Sequence, residues 1–316
     1  MTHELILHHY EGSPFGEKVR LMLGYKGLAW RSVRVPVIMP KPDVVALTGG
    51  YRRTPVLQRG ADIYCDTALI AQLLERLAPT PRLFPPHLPL APLLAQWADA
   101  TLFWTVIPYA MQPAGLAHRF AGAPPEAVQA FAADRAPFTA GMTRQTAADA
   151  AVNLRAQLST LDAQLVAGGP FLFGDASIAD FAVAHCLWYL HNGGPVAEIM
   201  APHTALAAWL ARMQAFGHGS HEKMGSDEAL AIAAAATSHA PCKVVAGQGF
   251  EAGQPVTVTP TDYGRDPVAG TLVGLSAHEV VLRRSDERAG TVHVHFPRAG
   301  FQIKAEIKQD KQETTA

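Results

Sequence analysis

The chain has 316 residues, enough for two or three domains, and 49% hydrophobic against 17% charged side chains supports a packed core. A net charge of −1 and a pI near 6.9 exclude the basic excess of a nucleic-acid binder. Three cysteines form no disulfide framework, Met1-Thr-His-Glu is no signal peptide, and charge or Pro interrupts every apolar stretch short of membrane-spanning length, so a cytoplasmic protein that binds no membrane is expected.

Leu5 to His9 reads as a strand, broken by Gly12-Ser13-Pro14. From Pro14 to about Lys26, Phe15, Val19, Met22 and Leu23 share a helical face. Trp30 to Val37 reads as a second strand, Pro36, Pro40 and Pro42 as a loop, and Asp43 to Leu47 as a short helical turn. Thr54-Pro55-Val56-Leu57 opens a third strand, and Ala61 to Cys65 forms a fourth after the Gly60 turn. Asp66-Thr67 starts a helix in which Leu69, Ile70, Leu73, Leu74 and Leu77 share a face. The order βαβ then ββα describes one α/β domain, residues 1–80.

Pro79 to Pro92 reads as a linker, and 88–237 as an all-helical domain with breaks at 122–125, 168–170 and 193–195. Ser226 and Asp227 start an Ala-rich helix over 225–237. Beyond Pro241 the pattern shortens to five strands, 256–259, 270–275, 278–284, 291–296 and 301–307, predicting a small β-barrel or sandwich over 240–316 with a polar tail from Lys308. This unit is expected to pack on the helical domain. Its turn Asp262-Tyr263-Gly264-Arg265-Asp266-Pro267 also has the composition of a binding loop.

Ser13 caps a helix whose first position is Pro14, and a hydroxyl there sits in a field that favours negative charge. A thiol held beside it would ionise more readily. Thr54-Pro55 is a candidate cis bond that would turn the Thr54 main chain outward. Asp66 and Thr67, at a helix head, could receive an ammonium and a carboxylate. Ser177-Ile178-Ala179-Asp180 is a capping box with Asp for Glu, a structural device over Ile178, Phe181, His185 and Trp188. Cys65 reads as buried. Of His8 and His9, one is expected to face inward and one outward. The pairs His218/His221 and His293/His295 show no third ligand at a recognisable spacing, so no metal is expected.

The order Ser13-Pro14-Phe15 with Lys18-Val19-Arg20, then Thr54-Pro55-Val56-Leu57, Cys65-Asp66-Thr67 and Phe173 to Asp180 resembles the glutathione S-transferase family over residues 4–220. The resemblance implies a thioredoxin-like domain, a helical bundle and a homodimer, with the β-rich unit added. It implies that glutathione is the co-substrate and a small hydrophobic electrophile the other partner, as in detoxification. Ser13 would donate to the glutathione sulfur, Phe15 shape the pocket floor, and Thr54 beside Pro55 pair with the cysteinyl backbone. Asp66 and Thr67 would hold the γ-glutamyl end, and Arg53 or Lys41 the glycyl carboxylate. Phe103, Trp104, Ile107 and Tyr109, with Met111 and Phe120, would line the electrophile pocket, while Trp97 and Asp99 serve packing and the interface.

The chain departs from the family pattern in two places. Thr48-Gly49-Gly50-Tyr51-Arg52-Arg53 replaces a loop that often carries Pro, and Ser13 stands where some relatives have Cys. Ser13 argues for conjugation or lysis over thiol-disulfide exchange. The alternatives are a non-catalytic scaffold whose β-domain docks a partner, or a glutathione-dependent lyase, isomerase or reductase.

Overall fold

The computed structural model describes residues 4–306. The N-terminal unit runs β1 (Ile6–His9), α1 (Pro14–Tyr25), β2 (Trp30–Arg34), α2 (Pro42–Thr48), β3 (Val56–Arg59), β4 (Asp62–Cys65) and α3 (Thr67–Leu77). Val19, Met22 and Leu23 of α1, and Leu69, Ile70, Leu73 and Leu74 of α3, are buried as their spacing predicts. Leu77 is exposed, because it stands in the last turn, where the helix leaves the core.

The helical domain comprises α4 (Ala91–Trp97), a π-helical turn (Ala98–Leu102), α5 (Phe103–Ala110), α6 (Pro113–Arg119), α7 (Pro125–Phe138), α8 (Ala147–Gly168), α9 (Ile178–His191) and α10 (Thr204–Gln214). The capping box forms at α9: Asp180 accepts from Ser177 N at 3.0 Å. The same carboxylate also accepts from Leu172 N at 2.9 Å and Trp209 Nε1 at 3.0 Å, tying the α8–α9 loop and α10 to α9.

After α10 come β5 (His221–Met224), α11 (Ser226–Ala235), and the strands β6 (Pro255–Pro260), β7 (Val268–Leu275), β8 (Glu279–Asp286), β9 (Gly290–Pro297) and β10 (Phe301–Ala305). The five C-terminal strands form where the sequence pattern placed them, the last as far as Ala305; Ile307, the expected end of that strand, and the tail from Lys308 lie outside the described residues. These strands continue the N-terminal sheet: β9 pairs in parallel with β4, giving one sheet ordered β10-β6-β7-β8-β9-β4-β3-β1-β2-β5. β5, unforeseen in a segment read as helical and loop, pairs in parallel with the other edge at β2. Both edges of the thioredoxin-like unit are thereby covered by chain from beyond the helical domain, which satisfies edge N–H and C=O groups.

The pleat divides the interior in two. Leu5, Leu7, Leu57 and Tyr64 face a core shared with α1, α3 and the helical domain. Val56, Ile63 and Cys65 face a second core shared with α2, α11 and the C-terminal strands. The β-rich unit therefore packs on the thioredoxin-like sheet and its α2 face, and not, as expected from sequence, mainly on the helical bundle. The covered sheet also explains His8 and His9, both buried rather than split between core and solvent. His8 Nε2 lies 2.8 Å from Gln58 Oε1, and His9 Nε2 lies 2.9 Å from Ser32 Oγ. Gly49 ends α2 at φ 78°, and a Cβ there would lie 2.0 Å from the Arg284 guanidinium carbon of β8. The unusual Gly49-Gly50 loop thus makes room for the C-terminal strands.

Candidate active site

Register brings the three N-terminal motifs together. β3 runs antiparallel to both β1 and β4, with Val56 opposite His8 and Cys65. The loop after β1, the start of β3 and the head of α3 therefore share one end of the sheet, across two strand spacings of about 4.8 Å each.

Ser13 is 2% exposed, and its Oγ accepts from Gly16 N at 3.0 Å. Among the described residues no acceptor takes the Ser13 O–H, which leaves that proton free to be donated. The Thr54–Pro55 bond is cis. Lys41 Nζ donates to Thr54 Oγ1 at 3.1 Å and lies 5.6 Å from the centroid of the Tyr10 ring. Burial, with Arg135 and Arg52 nearby, lowers the Lys41 amine to about 8, although Asp134 opposes the shift.

Asp66 has φ 74°, and no other non-Gly residue among those described has positive φ. Such a backbone costs roughly 1–3 kcal/mol and persists where the surroundings enforce it. Its carboxylate accepts from Ala68 N at 2.9 Å. Burial raises its pKa, opposed by that N–H and by Arg53. Thr67 Oγ1 instead accepts from Lys18 Nζ at 3.1 Å. Cys65 is fully buried, and burial with the neighbouring Asp66 charge pushes its thiol well up, so it is no ready nucleophile.

Lys18 also bonds Asp99 Oδ2 at 2.5 Å, and Asp99 Oδ1 lies 2.9 Å from His185 Nε2. Asp99 sits on the π-helical turn, a local widening that often marks functional positions. Burial works against the Asp99 carboxylate, but Lys18 and His185 outweigh it and hold its pKa low. Burial likewise lowers His185. Phe15 packs 4.7 Å from Phe103 and 4.6 Å from His185. Phe15 of the first domain thus packs directly on the helical domain.

Of the aromatic segment, Phe103 is buried, while Trp104, Ile107 and Tyr109 are half-buried against the helical core. Trp104 Nε1 is buried without a partner. Tyr263, from the turn between β6 and β7, meets it edge-on at 5.1 Å and Phe138 at 5.1 Å, while Gly264 N donates to Phe138 O at 2.7 Å. Arg53 lies 3.8 Å from the centroid of the Tyr263 ring and bonds Asp262 and the Tyr263 carbonyl, leaving Nε buried and unpartnered. Sequence reasoning noticed this turn but did not place it against Arg53 and Trp104. The stacking of Arg53 on it crosses more than two hundred residues, and no local pattern announces that.

A thioredoxin-like sheet with a cis-proline strand start, joined to a helical bundle, defines a glutathione-transferase-like core. The family model of the glutathione S-transferase N-terminal domain matches residues 7–82, and that of the C-terminal domain residues 142–212. A crystal structure of a GST-like protein from Pseudomonas syringae is 42% identical, over 97% of this chain and 100% of that one, with TM-score 0.80. The chain belongs to the glutathione S-transferase family, and the match to the Pseudomonas syringae protein takes in the C-terminal strands. More distant folds include the β-etherase LigF from Sphingobium sp. strain SYK-6, 18% identical over 68% of this chain and 96% of that one, TM-score 0.49. A glutathione S-transferase from Rhodospirillum rubrum F11 is 20% identical over 66% and 87%, TM-score 0.49. No curated protein matches the chain. Among the described residues no helix is long and apolar enough to cross a membrane.

Proposed function

We propose that this chain is a glutathione transferase that activates the glutathione thiol for attack on a small hydrophobic electrophile. The observation that carries the reading is the free Ser13 O–H at the sheet end shared with Pro55 and Asp66. In this role Ser13 donates to the cysteinyl sulfur, Thr54 pairs with the cysteinyl main chain, and Asp66 and Thr67 receive the γ-glutamyl end. A thiol of pKa about 8.5 is mostly protonated at neutral pH, so a donor and the α1 dipole raise its thiolate fraction. The thiolate attacks an electrophilic carbon held against Phe103, Trp104, Ile107 and Tyr109, and the leaving group departs with the electron pair of the broken bond. Lys41 meets the glycyl carboxylate. Arg53, already bound to Asp262, acts through the loop that bears Tyr263.

Calorimetric titration with glutathione, on the wild type and Asp66→Ala, tests the site. Binding lost in the variant supports it, and no binding in either protein rejects it. Product identification after incubation with glutathione and model electrophiles then separates conjugation from lysis, isomerisation and reduction. The Tyr263 loop favours a second reading, a binding or scaffold protein whose cleft is closed by its own chain. Under that reading Tyr263→Ala gains glutathione-dependent turnover that the wild type lacks. We further propose a cytoplasmic homodimer with a detoxifying role. Free cysteines are consistent with a reducing compartment, and sedimentation equilibrium tests the dimer.

A further inference from the structure

The pair His293/His295 shows no third ligand in the sequence, and in the fold His293 gains two other candidate ligands, Asp62 and His239. β9 lies in register with β4, so His293 stands beside Asp62 and His295 beside Tyr64. His239, from the segment between α11 and β6, stacks on His293 with ring centroids 3.7 Å apart. The Nδ1 atoms of His239 and His293 lie 3.9 and 4.0 Å from Asp62 Oδ1. Both nitrogens are buried, and neither has a hydrogen-bond partner.

We propose that Asp62, His239 and His293 form a binding site for a borderline divalent cation of the zinc class. Two imidazole nitrogens and a carboxylate oxygen are the donors such ions prefer, and three protein ligands leave one position for water. The carboxylate is already oriented from outside the donor set. Asp62 Oδ2 accepts from Ala240 N at 2.8 Å, and Oδ1 lies 2.9 Å from His295 Nε2. His295 Nδ1 lies 2.7 Å from Glu279 Oε1, and its ring stacks on Tyr64 at 4.3 Å. Carboxylate–histidine relays of this kind commonly fix the ligands of metal sites.

The donors stand slightly too far apart for a loaded site. Neighbouring ligands of tetrahedral zinc are roughly 3.3 Å apart, given Zn–N bonds of about 2.0–2.1 Å. Loading therefore draws both imidazoles toward Asp62, by rotation of the His293 ring and movement of His239, and breaks their parallel stack. His239 can move because its segment belongs to no helix or strand. The site lies at the start of β4, four residues and about 13 Å along the strand from Asp66. Its role is to clamp β9 and the 236–254 segment to the thioredoxin-like sheet, apart from the proposed thiol chemistry.

The test is equilibrium dialysis of the metal-stripped full-length protein against Zn²⁺, with Co²⁺ as the spectroscopic probe. The site predicts one equivalent of either ion per chain, a visible Co²⁺ band of four-coordinate intensity, and a rise in Tm on Zn²⁺ addition. His239→Ala is expected to weaken Zn²⁺ binding roughly 100-fold or more, at the upper end of what even outer-sphere changes cost. Because His239 Nδ1 has no hydrogen-bond partner to lose, the metal-free variant should keep the parental circular dichroism, and His293→Ala provides an independent second variant. His218→Ala, at a half-buried histidine beside Glu17 near the other edge of the sheet, should leave uptake unchanged. Absence of stoichiometric uptake, or uptake that survives both His239→Ala and His293→Ala, would overturn the proposal.

Discussion

Ser13 serves two purposes at once, cap and proposed thiol donor, and the two are separable by magnitude. Ser13→Ala removes the bond to Gly16 N and should cost about 1 kcal/mol of stability. If its O–H meets the sulfur, the same change should lower kcat on the order of 100-fold, as losing one donor to a developing charge does. Thermal unfolding and steady-state kinetics on one preparation read both effects. Lys41 supplies a pH signature. Its amine, lowered to about 8, is cationic below that value and neutral above it. Affinity for an anion held by Lys41 is therefore full at pH 7 and falls as pH rises through 8. S-methylglutathione, whose sulfur cannot ionise, isolates this effect in a titration, and a flat profile would remove Lys41 from the site. At Asp99, replacement by Ala leaves Lys18 buried with only Thr67 to accept from it, at a cost of about 3–5 kcal/mol by chemical denaturation.

Helices and strands were legible in proportion to how local their causes are. α1, α3 and α11 begin at Ser/Pro, Asp/Thr and Ser/Asp signals and end near the residues their patterns indicate. The α9 capping box needed only Ser177 and Asp180 to be seen, but its reach did not show in the sequence. Asp180→Ala loses bonds from Leu172 N, Ser177 N and Trp209 Nε1 together, and should destabilise by roughly 3–5 kcal/mol, read as a lowered denaturation midpoint. β5 was invisible because His221-Glu-Lys-Met has exposed side chains at its first three positions and becomes a strand only by pairing with β2. The same holds for His8 and His9. Their inward turn on both faces of β1 depends on what covers each face, which alternation along one strand does not specify.

For the whole molecule, the C-terminal strands complete an otherwise open fold. They pair with β4 and close the core that holds Val56, Ile63 and Cys65. A chain ended at Ala236 should therefore expose that face. In the intact protein Cys242 is exposed while Cys65 and Cys186 are buried, so a thiol reagent should react faster at Cys242 than elsewhere, although partial burial raises its thiol as well. The shortened chain, lacking Cys242, should instead react rapidly at Cys65. Slow reaction there would mean that the thioredoxin-like unit buries its own second face.

The residues of this chain determined on their own the three kinds of architecture along it, the helix starts and the five late strands. Each of these rests on a signal within a few neighbours: a cap, a period or a turn. The tertiary structure alone decided that the late strands extend the first sheet. It also turned Arg53 to Asp262 and Tyr263, and brought Asp62, His239 and His293 within about one ligand shell of each other. Those outcomes depend on strand register and loop closure between residues far apart in the chain, and periodicity within a segment carries no information about which distant partner it will meet.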